Sequence, residues 1–86
     1  MSDTHIIIGI HIDDRLKKAV DVQKVFSDYG SNIKTRVGLH DAAANICSPS
    51  GVVLIEFLGS SAKATEMMDK LATVEGVQVQ RMTFGN

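Results

Sequence analysis

Two histidines and the single cysteine are the side chains of this chain that are best suited to metal coordination. His11 closes a run of alternating apolar residues, His40 follows a second such run, and Cys47 comes shortly after it. Imidazole and thiolate together suit zinc or nickel. If the two runs are parallel strands separated by a third, His11 and His40 point from one sheet face, about 9.6 Å apart at the backbone. Because their spacing matches no metal motif, we predict no bound metal and no other cofactor, with a site of His11, His40 and Cys47 as the alternative.

A second polar group could bind a small effector. Asp14 and Arg15 stand where the first strand gives way to a helix, whose first N–H groups are free to bind an anion. Asn32 and Arg36 lie on the second strand and its approach. We predict these four residues as the candidate ligand-binding set. The alternative is a helix capped by Asp14, with its charges in solvent.

Catalytic chemistry finds little support in the sequence. Ser60 and Ser61 stand at the start of a predicted helix and have no base beside them, and the chain has no glycine-rich phosphate loop. We therefore predict no catalytic residues and a protein that is not an enzyme.

Composition excludes several other classes. The 86 residues are 44% hydrophobic and 22% charged, with a net charge of −1. This balance predicts a folded domain without the basic surface that nucleic acids require. No apolar run approaches the ~20 residues of a membrane helix, and the N-terminal run HIIIGI is too short for a signal peptide. One cysteine permits no internal disulfide, which favours a reducing compartment. We expect a cytoplasmic protein that binds neither membranes nor, by this domain alone, nucleic acid.

Six elements must position these residues. Apolar alternation predicts strands, and apolar spacing of three and four predicts helices. The first helix buries Val22, Val25, Phe26 and Tyr29, and the second buries Ala64, Met67, Met68, Leu71 and Ala72. The predicted elements are a strand at 6–12, a helix at 15–29, strands at 33–39 and 52–58, a helix from the Gly59-Ser60-Ser61 caps to Gly76, and a strand at 77–84.

Several local features carry more detailed predictions. Gly30 and Gly76 should end the two helices in the left-handed conformation. Alternation slips at Arg81, which indicates either a bulge or a late start of the last strand. On the second helix we predict an exposed Glu66–Lys70 pair. On the second strand we predict one buried face, which contains Ile33, Thr35, Val37 and Leu39. On the first helix, Leu16 and Val20 should lie either at the edge of the core or in a contact with another subunit.

The order βαββαβ predicts an α+β, ferredoxin-like sandwich. The distance from Ile12 to Gly30 equals that from Leu58 to Gly76, 18 positions, so the chain contains two βαβ units of one length. Both helices should cover one face of a four-stranded antiparallel sheet, with the third strand between the first and second. The other face then carries Ile7, Val52, Leu54 and Leu58. We predict that this face joins copies into a homodimer or homotetramer, the alternative being that the loop 40–51 covers it.

The stretch GIHIDDRLKKAVDVQKVFSDYGSNIKTRVG resembles a small family of regulators of the iron-only hydrogenase system. Matching residues are Asp14, Arg15, Tyr29, Gly30, Arg36 and Gly38, with VEGVQ at 74–78. The resemblance covers nearly the whole chain. It implies a single ACT-like domain over residues 1–86, related in fold to the C-terminal domain of the nickel-responsive repressor, and a role in regulation or sensing. In a dimer of ACT type, turn residues such as Asp14 and Arg15 would face strand residues of another subunit.

Two departures from related families bear on ligands. ACT domains that bind amino acids usually have glycine in the turn after the first strand, where this chain has Asp13-Asp14-Arg15-Leu16. The repressor's nickel site uses a His-x-His pair, whereas His40 has Gly38 and Ala42 at that spacing. Neither ligand is therefore expected on the resemblance alone, and a ligand-free interaction module is a further alternative.

Overall fold

The structure, a computed structural model, describes residues 4–13, 19–39 and 51–85. These residues form four strands and two helices in the predicted order. The described boundaries agree with the predicted ones to within a few residues, while the predicted helix start, near Arg15, and most of the loop 40–51 lie outside the described residues. The elements are β1 (His5–Ile12), α1 (Ala19–Asp28), β2 (Ile33–Leu39), β3 (Gly51–Phe57), α2 (Ser61–Ala72) and β4 (Val77–Phe84), with a 3-10 turn at Gly30–Asn32.

The described strands make one sheet in the order β2-β3-β1-β4, and every neighbouring pair is antiparallel. As predicted, β3 lies between β1 and β2. This arrangement is the ferredoxin-like, ACT-like βαββαβ fold.

The core lies between the helices and one face of the sheet. Ile8 and Ile10 of β1 and Ile55 of β3 have no exposed surface, and neither do Met67 and Leu71 of α2. α1 contributes the predicted stripe to the same cluster, which consists of Val22, Val25, Phe26 and Tyr29. Both helices therefore cover the same sheet face, and the burial of these aliphatic and aromatic side chains stabilises the packing, by about 1.5–3 kcal/mol for each large one.

Three predictions about the helices have different outcomes. The Ser60 side chain accepts a hydrogen bond from the Lys63 N–H at 3.0 Å, so the predicted cap is confirmed. Gly76 has a φ of 90°, the left-handed region that glycine favours, but it does not end the helix: α2 ends at Ala72, with Thr73 as its C-cap. The same prediction for Gly30 is wrong, because Gly30 has no positive φ and instead opens the 3-10 turn, in which the Asn32 N–H donates to the Tyr29 carbonyl at 2.8 Å.

The strand irregularity lies in β2 and not in β4. β4 pairs with β1 without interruption from Val77 to Phe84, so the predicted bulge at Arg81 is wrong. The register shift instead falls between Ile33 and Thr35, opposite β3. The shift places Ile33 on the helix side, where it packs against the core. Thr35, Val37 and Leu39 therefore lie on the opposite face of the sheet.

Exposed residues on the helices also bear on the predictions. Val20 is 78% exposed, so it does not lie at the edge of the core, and its predicted role in a subunit contact stays a prediction. Leu16, for which the same two positions were predicted, lies outside the described residues. Neither described helix has the length and apolar composition needed to cross a bilayer.

Candidate functional site

The side of the sheet away from the helices, called here the open face, has no described element packed on it. Antiparallel partners share a face, so the register identifies its members. Read from β2 across to β4, its three central rows are Leu39, Val52, His11 and Gln78; Val37, Leu54, Gly9 and Gln80; and Thr35, Glu56, Ile7 and Met82.

Much of the open face is apolar. Val37, Leu39, Met82 and Phe84 are each about half exposed, at 45%, 48%, 53% and 54%. Ile7, Val52 and Leu54 are partly buried between them. Leu58 follows the end of β3, is 48% exposed, and is held by its N–H, which donates to the Asn32 carbonyl at 2.7 Å. The structure thus places Ile7, Val52 and Leu54 together on the open face.

The single carboxylate in the three central rows, that of Glu56, is paired with two side chains of β2. The Thr35 hydroxyl donates to Glu56 at 3.2 Å, and the Lys34 ammonium lies 3.8 Å from the same carboxylate. These contacts come from the edge strand β2. The charge therefore stays at one side of the open face.

A shallow depression crosses the middle of the open face at Gly9, and we call it the Gly9 slot. It consists of two adjoining hollows of about 220 and 190 Å³, which share Gly9 and Gln80. Ile7, Leu54, Arg81 and Met82 line one hollow, and His11, Val52 and Gln78 line the other. The slot therefore has an apolar end and an end with hydrogen-bonding groups.

The predicted ligand-binding set is only partly described. The Asn32 side-chain amide donates to the Leu58 carbonyl at 2.8 Å, which ties the 3-10 turn to the end of β3. The Arg36 guanidinium lies on the helix side of β2, 4.6 Å from the centre of the Phe26 ring, a cation–π contact. Asp14 and Arg15 lie outside the described residues. Both described members thus make contacts within the protein, and the set as a whole stays a prediction.

The alternative metal site is likewise only partly described. His11 lies on the open face as predicted, between Val52 and Gln78. His40 and Cys47 are outside the described residues, so their convergence with His11 stays a hypothesis. Within the described ranges, no three side chains of the His, Cys, Asp or Glu type come together.

A polar cluster surrounds Tyr29 on the helix side, and no pattern in the sequence predicts it. The buried Tyr29 donates its hydroxyl to Glu66, and Lys63 pairs with the same carboxylate at 3.2 Å. The Lys63 and Lys70 ammonium groups lie 5.5 and 5.2 Å from the centre of the Tyr29 ring. Glu66 therefore makes its close contacts with Tyr29 and Lys63, and its predicted partner Lys70 attracts it at longer range without a direct ion pair.

Electrostatics at this cluster follow from its hydrogen bonds. The bond from the Tyr29 hydroxyl, followed by that with Lys63, lowers the pKa of Glu66. The Tyr29 hydroxyl, and then Glu66 and Asp28, raise the pKa of Lys70. Both shifts favour the charged forms, so the cluster joins α1 to α2 most strongly when Glu66 is ionised.

A groove of about 690 Å³ runs between α1 and α2. Asp21, Asp28 and Asp69 line it together with Lys24 and Lys70. Lys24 and Asp28 form an exposed pair at 3.1 Å, of a kind that contributes little to stability. The groove is wide and mixed in charge, and it offers less defined chemistry than the open face.

Solved structures share this architecture. An uncharacterised protein from Thermotoga maritima superimposes with a TM-score of 0.77 at 18% identity, covering 95% of this chain and 99% of that one. The ACT domain from the GTP pyrophosphokinase of Chlorobium tepidum gives a TM-score of 0.59 at 26% identity, covering 95% of this chain and 100% of that one. Neither a protein-family model nor a curated protein matches the chain. The chain is therefore similar to ACT-like domains over nearly its whole length.

Proposed function

We propose that the chain is a regulatory module of ACT type that acts by self-association through the open face and responds to a small effector. The observation that carries the proposal is the apolar open face. Val37, Leu39, Met82 and Phe84 are about half exposed there, and no described element covers them. A contiguous apolar surface of this kind is typical of an interaction site.

Size supports the same proposal. A domain of 86 residues buries only roughly 60–65% of the surface that its unfolded chain exposes. Covering Ile7, Val52, Leu54 and Leu58 in a symmetric contact would extend the core across the sheet. Either a homodimer or a homotetramer would cover these residues.

The regulatory part of the proposal is based on similarity to other proteins in structure and in sequence. One structural neighbour is the ACT domain of a GTP pyrophosphokinase. The finer assignment, regulation of the iron-only hydrogenase system, draws on the family resemblance of Asp14, Arg15, Tyr29, Gly30 and Arg36. For the effector we propose the predicted set of Asp14, Arg15, Asn32 and Arg36, with the turn residues of one copy facing the strand residues of another.

Two measurements test the proposal. Light scattering at micromolar concentration should find a dimer or tetramer, and a monomer would contradict the association. Thermal-shift screening against amino acids, nucleotides and metal ions should give a ligand that raises the melting temperature. A ligand whose effect is lost in Arg36→Ala supports the proposed effector set, and one that acts equally on the variant contradicts it.

A further inference from the structure

A glycine in the middle of β1 has no structural requirement behind it. Gly9 pairs with Leu54 on one side and Gln80 on the other, and β1 runs in regular register with both neighbours, without a bulge. Gly9 does not have a positive φ. An added Cβ would lie 3.6 Å from the Leu54 Cδ2 and 3.9 Å from the Gln80 carbonyl oxygen, which are ordinary contact distances. An alanine would therefore fit there, and it would favour the strand.

Glycine inside a strand commonly marks a bulge, a sharp bend or the close approach of a ligand or another backbone. The regular register excludes a bulge at Gly9. The absence of a side chain leaves the backbone as the floor of the slot, with Leu54 and Gln80 at its two sides. A planar molecule can lie against this exposed backbone, whereas the flanking side chains would exclude a bulky one.

The hydrogen-bonding groups of the slot are unused. His11, Gln78 and Gln80 have no hydrogen-bond partner for their side chains among the residues that the structure describes. Each glutamine amide offers both donors and an acceptor. Such groups match the edge of a heteroaromatic ring or a carboxamide.

Fixed charge is directed away from the slot. The Arg81 guanidinium donates to the Ser61 carbonyl on the helix side at 3.2 Å, and Glu56 is held by Lys34 and Thr35 at the β2 side. Among the described residues, Arg81 is the one charged residue that lines the two hollows, and its guanidinium is bound to Ser61, so a charged ligand would lose hydration there without compensation. The slot therefore favours an uncharged ligand.

We infer that the Gly9 slot binds a planar, uncharged heteroaromatic molecule, with its ring on the Gly9 backbone and its polar edge on Gln78, Gln80 and His11. The inference rests on the proposed function in one respect: Ile7, Val52 and Leu54 belong both to the slot and to the surface proposed for association, so the ligand and a second copy compete for these residues. The slot is separate from the predicted set that contains Asn32 and Arg36.

Nicotinamide and nicotinate provide a matched pair of probes, since they share a ring and differ in charge. Each is titrated into isotope-labelled protein at about pH 8, above the range in which histidines usually titrate. Nicotinamide should shift the Gly9 backbone resonance and the side-chain amide resonances of Gln78 and Gln80 in a saturable manner, and nicotinate should bind at least fivefold more weakly. Equal binding of the two, or shifts confined to residues outside the slot, would overturn the inference.

Variants provide the second arm. Gly9→Val should weaken nicotinamide binding at least tenfold by filling the floor, and Gly9→Ala, whose Cβ fits at contact distance, should weaken it several-fold in a folded protein. Thr83→Val, on the helix side of β4, is the control and should bind unchanged. Unchanged binding by both Gly9 variants would overturn the inference.

A fourth variant, Leu39→Asp, separates this inference from the proposed function. Leu39→Asp changes the open face outside the slot and should abolish association, yet it should still bind nicotinamide. If the unmodified protein proves monomeric, the association fails, and the titrations still test the slot. Loss of binding in Leu39→Asp with an intact fold would overturn a slot that is complete within one copy.

Discussion

Placing a charge at the centre of the open face tests self-association most directly. Leu54 lies on β3 between Val37 and Gly9, with its side chain partly buried within the protomer. We predict that Leu54→Asp converts the assembled protein to monomer and lowers its melting temperature. The aspartate would have to be desolvated in any contact that covers this position.

The magnitude follows from the burial of Leu54. Complete burial of a leucine contributes about 1.5–3 kcal/mol, and the lower value applies because part of the side chain is already covered. A two-fold interface contains the residue twice, so the loss is about 3 kcal/mol. This corresponds to a weakening of the dissociation constant by roughly a hundredfold, before the cost of the buried charge is added.

Sedimentation and light scattering over a range of concentrations would measure the change, and circular dichroism would confirm that the helices persist. Val20→Asp is the matched control, since Val20 is an exposed apolar residue on α1, away from the open face. An unmodified protein that is monomeric at micromolar concentration would refute the reasoning. Unchanged assembly of Leu54→Asp, or dissociation of Val20→Asp in its place, would move the interface elsewhere.

Three further predictions concern stability. Hydrogen bonds lower the pKa of Glu66 below 4.5, so its stabilising contribution is fully present above that pH and is lost as the pH falls through the lower folded-state value. Glu66→Gln should therefore lower the melting temperature at neutral pH, by a margin that shrinks as the pH falls below 4.5. Gly9→Ala should raise the free energy of unfolding by about 0.5–1 kcal/mol in urea titrations, and a loss would mean that the slot is tighter than its contact distances indicate. Met67→Ala should lower the free energy of unfolding by about 2–5 kcal/mol because Met67 is fully buried. Met68→Ala should lower it clearly less because Met68 is only partly buried, and equal decreases for the two variants would contradict the assigned buried face of α2.

The fold could be predicted because periodicity is a local property that burial reinforces. The alternation of Ile6, Ile8 and Ile10 and the helical spacing of Val22, Val25 and Phe26 are both visible in the sequence, and each residue set proved to be buried. Two equal βαβ units then leave few topologies. For these reasons the strand order, including β3 between β1 and β2, is confirmed.

Contacts between distant residues could not be predicted in the same way. Tyr29 and Glu66 are separated by 37 positions, and nothing near either residue indicates that a phenol and a carboxylate will meet. Similarly, Gly30 and Gly76 both follow helices, yet only Gly76 takes a positive φ. At Gly30 the Asn32 N–H bonds to Tyr29 and continues the chain in a 3-10 turn, an outcome that the residue types alone do not determine.

The register shift in β2 connects the wrong prediction for this strand to the proposed self-association. Ile33, Thr35, Val37 and Leu39 alternate perfectly in the sequence, so they were predicted to share one buried face. The shift between Ile33 and Thr35 keeps Ile33 beside Phe57 in the core and sends Val37 and Leu39 to the open face. An unbroken register that held Ile33 in the core would have given Val37 and Leu39 the same burial. The fold instead leaves these two side chains about half exposed next to Leu54 and Val52. The exposed parts of these side chains contribute to stability only when something beyond the described residues covers them, which is what a second copy would do.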